Sequence, residues 1–112
     1  MEPLTEKKCV PCEGKISPLS ESQEKKYLQQ VSGWELNHEG IHRISKKFIF
    51  KDFKESMQFV TAVADLAEEE GHHPDIHIYY NHVNLELHTH AIKGLHQNDF
   101  ILASKINKIN KY

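Results

Sequence analysis

Glu68-Glu69-Glu70-Gly71-His72-His73-Pro74-Asp75 is the stretch on which the reading of the fold turns. Gly71 offers a left-handed helix stop, and Pro74 prevents the helix from restarting. Between them lie two adjacent histidines, at the point where the backbone must pass from helix to strand. Upstream, apolar residues recur at Phe53, Met57, Val60, Ala64 and Ala67, a spacing that follows the 3.6-residue period. Asp52 followed by Glu55 supplies an N-terminal cap signature. The pattern predicts a helix over 53–70 with that stripe in the core and with Glu69 and Glu70 facing solvent.

Downstream the period changes from 3.6 to 2. Ile76, Ile78 and Tyr80 alternate with His77 and Tyr79, which predicts a strand. Asn81-His82 reads as the tight turn. Val83, Leu85 and Leu87 then alternate with Asn84, Glu86 and His88 in a second strand. By parity His90 falls opposite Val83, Leu85 and Leu87, away from the apolar core. Lys93 to Asn98 reads as a loop, and Leu102, Ala103, Ile106 and Ile109 mark a final helix.

Ahead of residue 53 a similar set of elements appears. Ser20 and Gln23 have capping-box spacing, with Leu19 placed as a staple. Tyr27, Leu28 and Val31 form an apolar stripe, and Gly33 is the expected helix stop. Trp34-Glu35-Leu36 begins a short strand, His38-Glu39-Gly40 a turn, and residues 41–50 a second strand with Ile44, Phe48 and Phe50 facing one way. Residues 1–18 hold three of the four prolines and no period, so they read as a flexible N-terminal arm before a single domain at 19–112. The order helix, strand, strand, helix, strand, strand, helix predicts an α+β fold, with a four-stranded antiparallel sheet covered by helices on one face.

Composition narrows the function. A chain of 112 residues with 38% hydrophobic and 27% charged residues fits one domain with a modest core. A net charge of -2 lacks the basic face of a nucleic-acid binder. No apolar run is long enough to span a membrane. The two cysteines, Cys9 and Cys12, make half of a zinc site and no disulfide framework, so an intracellular protein is expected. The nine histidines are the outlier.

Adjacent His72 and His73 diverge on a strand, so they do not chelate one ion together, and the i, i+4 histidine pair of a helical zinc site is absent. Imidazoles titrate near neutral pH, so one can give a proton while another accepts one. A carboxylate such as Glu68 or Asp99 would fix tautomer and orientation. General acid–base catalysis without metal is therefore the favoured chemistry.

Taken as a set, Glu68-x-x-x-His72-His73-Pro74, Tyr80, Thr89-His90, Gly94-Leu95 and Asp99 resemble the pterin-4a-carbinolamine dehydratases. The resemblance runs from about Ser20 to Ile109 and includes Gly33-Trp34 and Phe48-x-Phe50-Lys51-Asp52-Phe53. The Cys9–Gly14 arm looks like that of bacterial and plant-type members. It implies a cytoplasmic hydro-lyase that converts 4a-hydroxytetrahydrobiopterin to quinonoid dihydropterin and water, recycling the tetrahydrobiopterin cofactor of aromatic amino-acid hydroxylases. It implies no bound cofactor or metal, a pterin substrate, no nucleic acid or membrane partner, and a homodimer or homotetramer.

By position, His72, His73 and His90 match the catalytic histidines, with His73, Pro74 and Thr89 holding the pterin and Glu68 and Asp99 in support. The usual Thr or Ser after Gly-Leu is His96 here, which is expected to cap poorly. The alternative is a pterin-binding or protein-interaction module, in molybdopterin metabolism or as a dimerisation partner. In the oligomer, the final helix (Phe100, Ile101, Leu102, Ile106, Ile109) and the outer face of the sheet are the expected contact surfaces.

Overall fold

A computed structural model describes residues 3–10 and 16–110. Helix α1 spans Glu21–Leu28, and strands β1 (Glu35–Asn37) and β2 (Arg43–Ile49) form the first hairpin. Helix α2 (Phe53–Glu70) leads to the second hairpin, β3 (Asp75–Tyr79) and β4 (His82–Leu87), and helix α3 (Gln97–Ile109) closes the chain. The hairpins join into one antiparallel sheet in the order β1-β2-β4-β3. The fold is α+β, in the order expected. Among the described residues no helix is long and apolar enough to cross a membrane.

The caps read from sequence are present. The Ser20 hydroxyl accepts the Gln23 N–H, and the Gln23 side chain accepts the Ser20 N–H. The Asp52 carboxylate accepts the Glu55 N–H at 2.9 Å. Gly71 ends α2 at φ 68, a left-handed position that glycine adopts without a Cβ clash. Gly33 plays a different part from the one expected. Helix α1 already ends at Leu28, and Gly33 (φ 83) makes the later turn into Trp34, packed against the aliphatic end of Lys46.

The buried face of α2 matches the expected stripe only at Ala67 and, in part, at Val60. Ser56, Phe59, Val63 and Ala67 point inward, whereas Phe53 is 49% exposed and Met57 also reaches solvent. The helix carries apolar residues on two adjoining faces, so the period fixed the helix but not its rotation. Aromatic packing decides between them: the Phe59 ring lies 4.7 Å from Phe48 and 5.0 Å from Phe50, residues whose own parity faces the core.

Two further boundaries shift. The β3–β4 turn is Tyr80-Asn81, because Tyr79 pairs with His82. Helix α3 begins at Gln97, inside the expected loop. Its apolar residues Phe100, Ile101, Leu102 and Ile106 are all buried within the monomer, against the sheet, α1 and the 3-10 turn at Leu4–Glu6. They are not spare surface for assembly. Residues 11–15 lie outside the described residues, so the expected Cys9-x-x-Cys12 pair is seen at Cys9 alone.

Candidate active site

Three connections converge on one end of the sheet. Gly71 delivers His72 and His73 from α2, and β4 runs out through His88 and Thr89 into a 3-10 turn at His90–Ile92. An isolated bridge between Thr89 and Gly94 folds that turn back, which brings the start of α3 beside it. His72, His73, His88, Thr89 and His90, with Val10, Gly71, Ala91 and Asn98, line a pocket of about 260 Å³. A larger groove of about 460 Å³ lies among Gly33, Glu35, Lys46, Lys47 and Glu86, but it holds no histidine or other group suited to proton transfer near neutral pH.

The fold brings His72, His73, His90 and Thr89 together in one pocket. His90 arrives by another route than strand parity, since β4 ends at Leu87 and the 3-10 turn aims the ring. Glu68 stands at the rim with its carboxylate on His73 Nε2, and both side chains are well exposed. Pro74 adjoins this pair without lining the pocket.

Asp99 lies behind the pocket wall and is 0% exposed. Its Oδ1 accepts from His72 Nε2 at 2.6 Å, while Oδ2 accepts from the Thr89 hydroxyl at 2.8 Å and the His96 N–H at 3.0 Å. A buried carboxylate is costly unless such donors satisfy it. Here they leave His72 with a fixed tautomer and Nδ1 as the ring nitrogen available for chemistry.

His96 caps α3 after all. Its Nδ1 accepts the Asn98 N–H at 3.0 Å, and Asp99 accepts the His96 N–H in return. Burial holds the His96 ring below the ordinary histidine range and outweighs the opposing pull of Asp99, with His72 adding to the lowering. A neutral ring is what an accepting Nδ1 needs, so a residue that is a poor cap in water becomes a good one here.

His88 was not among the expected site residues. Its Nε2 lies 3.2 Å from His90 Nδ1, and its ring is largely buried. Parity placed His88 with the solvent-facing residues of β4, and only the shared spacing of His88 and His90 hinted at contact.

Glu70 corrects another expectation. Far from facing solvent, its side chain is 3% exposed and accepts from Lys105 Nζ at 2.7 Å and from the Cys9 N–H at 2.9 Å. Burial alone would raise its carboxyl, but these two donors hold it below the usual carboxylate range. The N-terminal segment is fastened there and at Asn98, whose side chain bonds both the N–H and the carbonyl of Val10. The Cys9 thiol is pushed up to about 12 by burial, and the Glu70 carboxylate adds to the effect.

Several known proteins are similar to this chain. The family model of pterin 4 alpha carbinolamine dehydratase matches residues 17–109. A curated relative in Azoarcus sp. (strain BH72), named for the same activity with the prefix "putative", is 42% identical over 106 residues, 95% of this chain and 90% of that one. Among solved structures, a transcriptional coactivator/pterin dehydratase from Brucella melitensis superposes with a TM-score of 0.78 at 33% identity, over 83% of this chain and 98% of that chain. A pterin dehydratase-like protein identified as a RuBisCO assembly factor in the alpha-carboxysome matches with a TM-score of 0.59 at 25% identity, over 68% of this chain and 87% of that one.

Proposed function

The chain belongs to the pterin 4 alpha carbinolamine dehydratase family, and from that premise we propose that it dehydrates 4a-hydroxytetrahydrobiopterin to quinonoid dihydropterin and water by metal-free general acid–base catalysis. The observation that supports this most directly is the meeting of His72, His73 and His90 in one pocket, with Asp99 fixed behind His72. In the reaction the C4a–O bond breaks, the hydroxyl leaves as water after gaining a proton, and N5 gives up its proton as the C4a–N5 double bond forms. One group must supply a proton while another accepts one.

His72 is the base in this reading. Its Nε2–H is held by Asp99, so Nδ1 takes the N5 proton and the buried carboxylate stabilises the resulting imidazolium. His90 is the acid: its Nδ1 faces His88, which leaves Nε2 for the departing hydroxyl, and its exposure lets water reprotonate it. His73, steadied by Glu68, holds the pterin, with Thr89 lining its seat and Pro74 restricting the backbone behind His73. The enzyme acts in the cytoplasm and returns a pterin that a reductase restores to the tetrahydro form.

The test is direct. Chelator-treated protein accelerates loss of 4a-hydroxypterin absorbance, and His72→Ala or His90→Ala removes about 100- to 10,000-fold of that rate. A loss of only a few-fold in both variants would sink the assignment.

A role in assembly is a second reading, favoured by exposed apolar side chains at Ile49, Phe53, Met57, Tyr79 and Tyr80. These residues, on α2 and the sheet margins, replace the final helix as the contact surface of a homodimer or homotetramer. Light scattering at the 13.0 kDa monomer mass would overturn that reading.

A further inference from the structure

A second histidine cluster lies outside the pocket. Glu24 of α1 is 0% exposed, yet it carries a carboxylate. Its Oε1 lies 2.8 Å from His38 Nε2 and its Oε2 2.9 Å from His42 Nδ1, both rings belonging to the β1–β2 connection. The rings stack with centroids 3.9 Å apart. One ligand atom from each of the three residues falls within 4.8 Å of the others.

From this geometry we infer that Glu24, His38 and His42 form a binding site for a first-row divalent cation, zinc foremost. The donor set is two imidazoles and one carboxylate, which suits zinc and its neighbours better than the oxygen-seeking magnesium or calcium. In a tetrahedral site with bonds of about 2.0–2.2 Å, neighbouring ligand atoms stand about 3.4 Å apart. The three ligand atoms, all within 4.8 Å of one another, therefore need to shift by on the order of an ångström to reach that spacing, the ion then replacing the hydrogen bonds between them.

Two further features support a ligand role. Metal-bound histidines usually turn their second nitrogen toward a carboxylate, and His38 Nδ1 lies 3.7 Å from Glu21 Oε1. The connection carrying both rings is also braced, because the Arg43 guanidinium donates to the Glu39 and Ile41 carbonyls on either side of Gly40. The His38 and His42 side chains are 35% and 33% exposed, which gives an ion an entry path and leaves its fourth position to water. The bound cation would clip α1 to the β1–β2 hairpin. The inference does not rest on the dehydratase reading.

Full-length protein without a histidine tag, stripped of metal, is titrated with zinc chloride by calorimetry and with cobalt chloride as a visible-spectrum probe. One ion per chain and the intense bands of tetrahedral cobalt are expected. His38→Ala and His42→Ala should each weaken binding by more than about 100-fold, beyond the effect of losing an outer-shell partner, and Glu21→Gln by about tenfold. Glu24→Gln should abolish binding, but because that side chain is buried the two histidine variants, checked for folding by circular dichroism, carry the test. His72→Ala and His90→Ala should bind as wild type. No binding to the wild type would overturn the site, as would retention by the His38→Ala/His42→Ala double variant or loss in His72→Ala.

Discussion

Two fully buried carboxylates grip histidines in this molecule, and they do so differently. Asp99 divides its oxygens among one imidazole, one hydroxyl and one backbone N–H. Glu24 gives each oxygen to a separate imidazole. The imidazole bonded to Asp99 is that of His72, and the hydroxyl and amide fix the carboxylate's orientation whatever that ring does. Such a group holds one tautomer and one direction, which suits proton transfer at the far nitrogen. Among the described residues no hydroxyl or amide donates to the Glu24 carboxylate, and its two partners are equivalent in kind. Its arrangement suits a shared cation. The same residue types thus make a catalytic pairing or a chelate according to what satisfies the second oxygen.

The sharpest break between the two sites is in turnover. His72→Ala should lower kcat/KM for the 4a-hydroxypterin by about 100- to 10,000-fold, whereas His42→Ala should stay within about twofold of wild type. Steady-state assays of both variants under chelation measure the contrast. Equal losses would mean that the two clusters do not divide the work.

Removing the carboxylates should give a smaller separation. Asp99→Asn should lose about 10- to 100-fold in kcat, the usual effect of removing a partner behind an active imidazole. It should also lose about 1–3 kcal/mol of stability, because an amide cannot accept from all three donors as the carboxylate does. Glu24→Gln should keep its turnover, and its half-exposed rings can turn to water. Thermal melts alongside kinetics separate these outcomes, and a catalytic loss in Glu24→Gln would erase the distinction.

The third buried carboxylate, Glu70, sharpens the comparison because it faces a cation, Lys105, rather than a histidine. Its folded pKa is depressed, so its stabilising effect is present above the unfolded carboxylate value and is lost as pH falls through the folded one. Glu70→Gln should cost about 1–2 kcal/mol near pH 7 and should flatten the acid limb of the stability curve, read by urea unfolding at several pH values. An unchanged acid limb would assign that limb to other groups.

How legible these features were depended on how local their causes are. Caps at Ser20 and Asp52 and the stop at Gly71 act within four residues, and the sequence pattern placed all three. The inward rotation of α2 was not legible, because Phe53 and Phe59 are equally apolar and only the rings of Phe48 and Phe50 choose between them. His72, His73 and His90 stood out as a motif, and the pocket gathers them. His88, Glu70 and the capping by His96 were hidden for one reason. Each depends on how the chain folds around it: the 3-10 turn that aims His90 at His88, the N-terminal segment at Glu70, or burial that keeps the His96 ring neutral.

The smallest expected effect concerns that N-terminal segment, which touches the pocket through Val10. The Cys9 thiol is pushed up to about 12 from 9.0 by burial and by the Glu70 carboxylate. Thiolate is the reactive form, so Cys9 should alkylate with iodoacetamide at least about tenfold more slowly than a free peptide cysteine at pH 8. The sign reverses the usual concern about an active-site thiol: raising pH through the ordinary thiol range should destabilise the docked segment, because the folded state retains the proton that the unfolded state releases. Asn98→Ala, which removes both bonds to Val10, should restore ordinary reactivity at Cys9 while leaving the His72–Asp99 contact in place. Mass spectrometry of a Cys12→Ser background, with and without Asn98→Ala, reads the effect. Fast alkylation in both would show that the segment's docking does not shield Cys9.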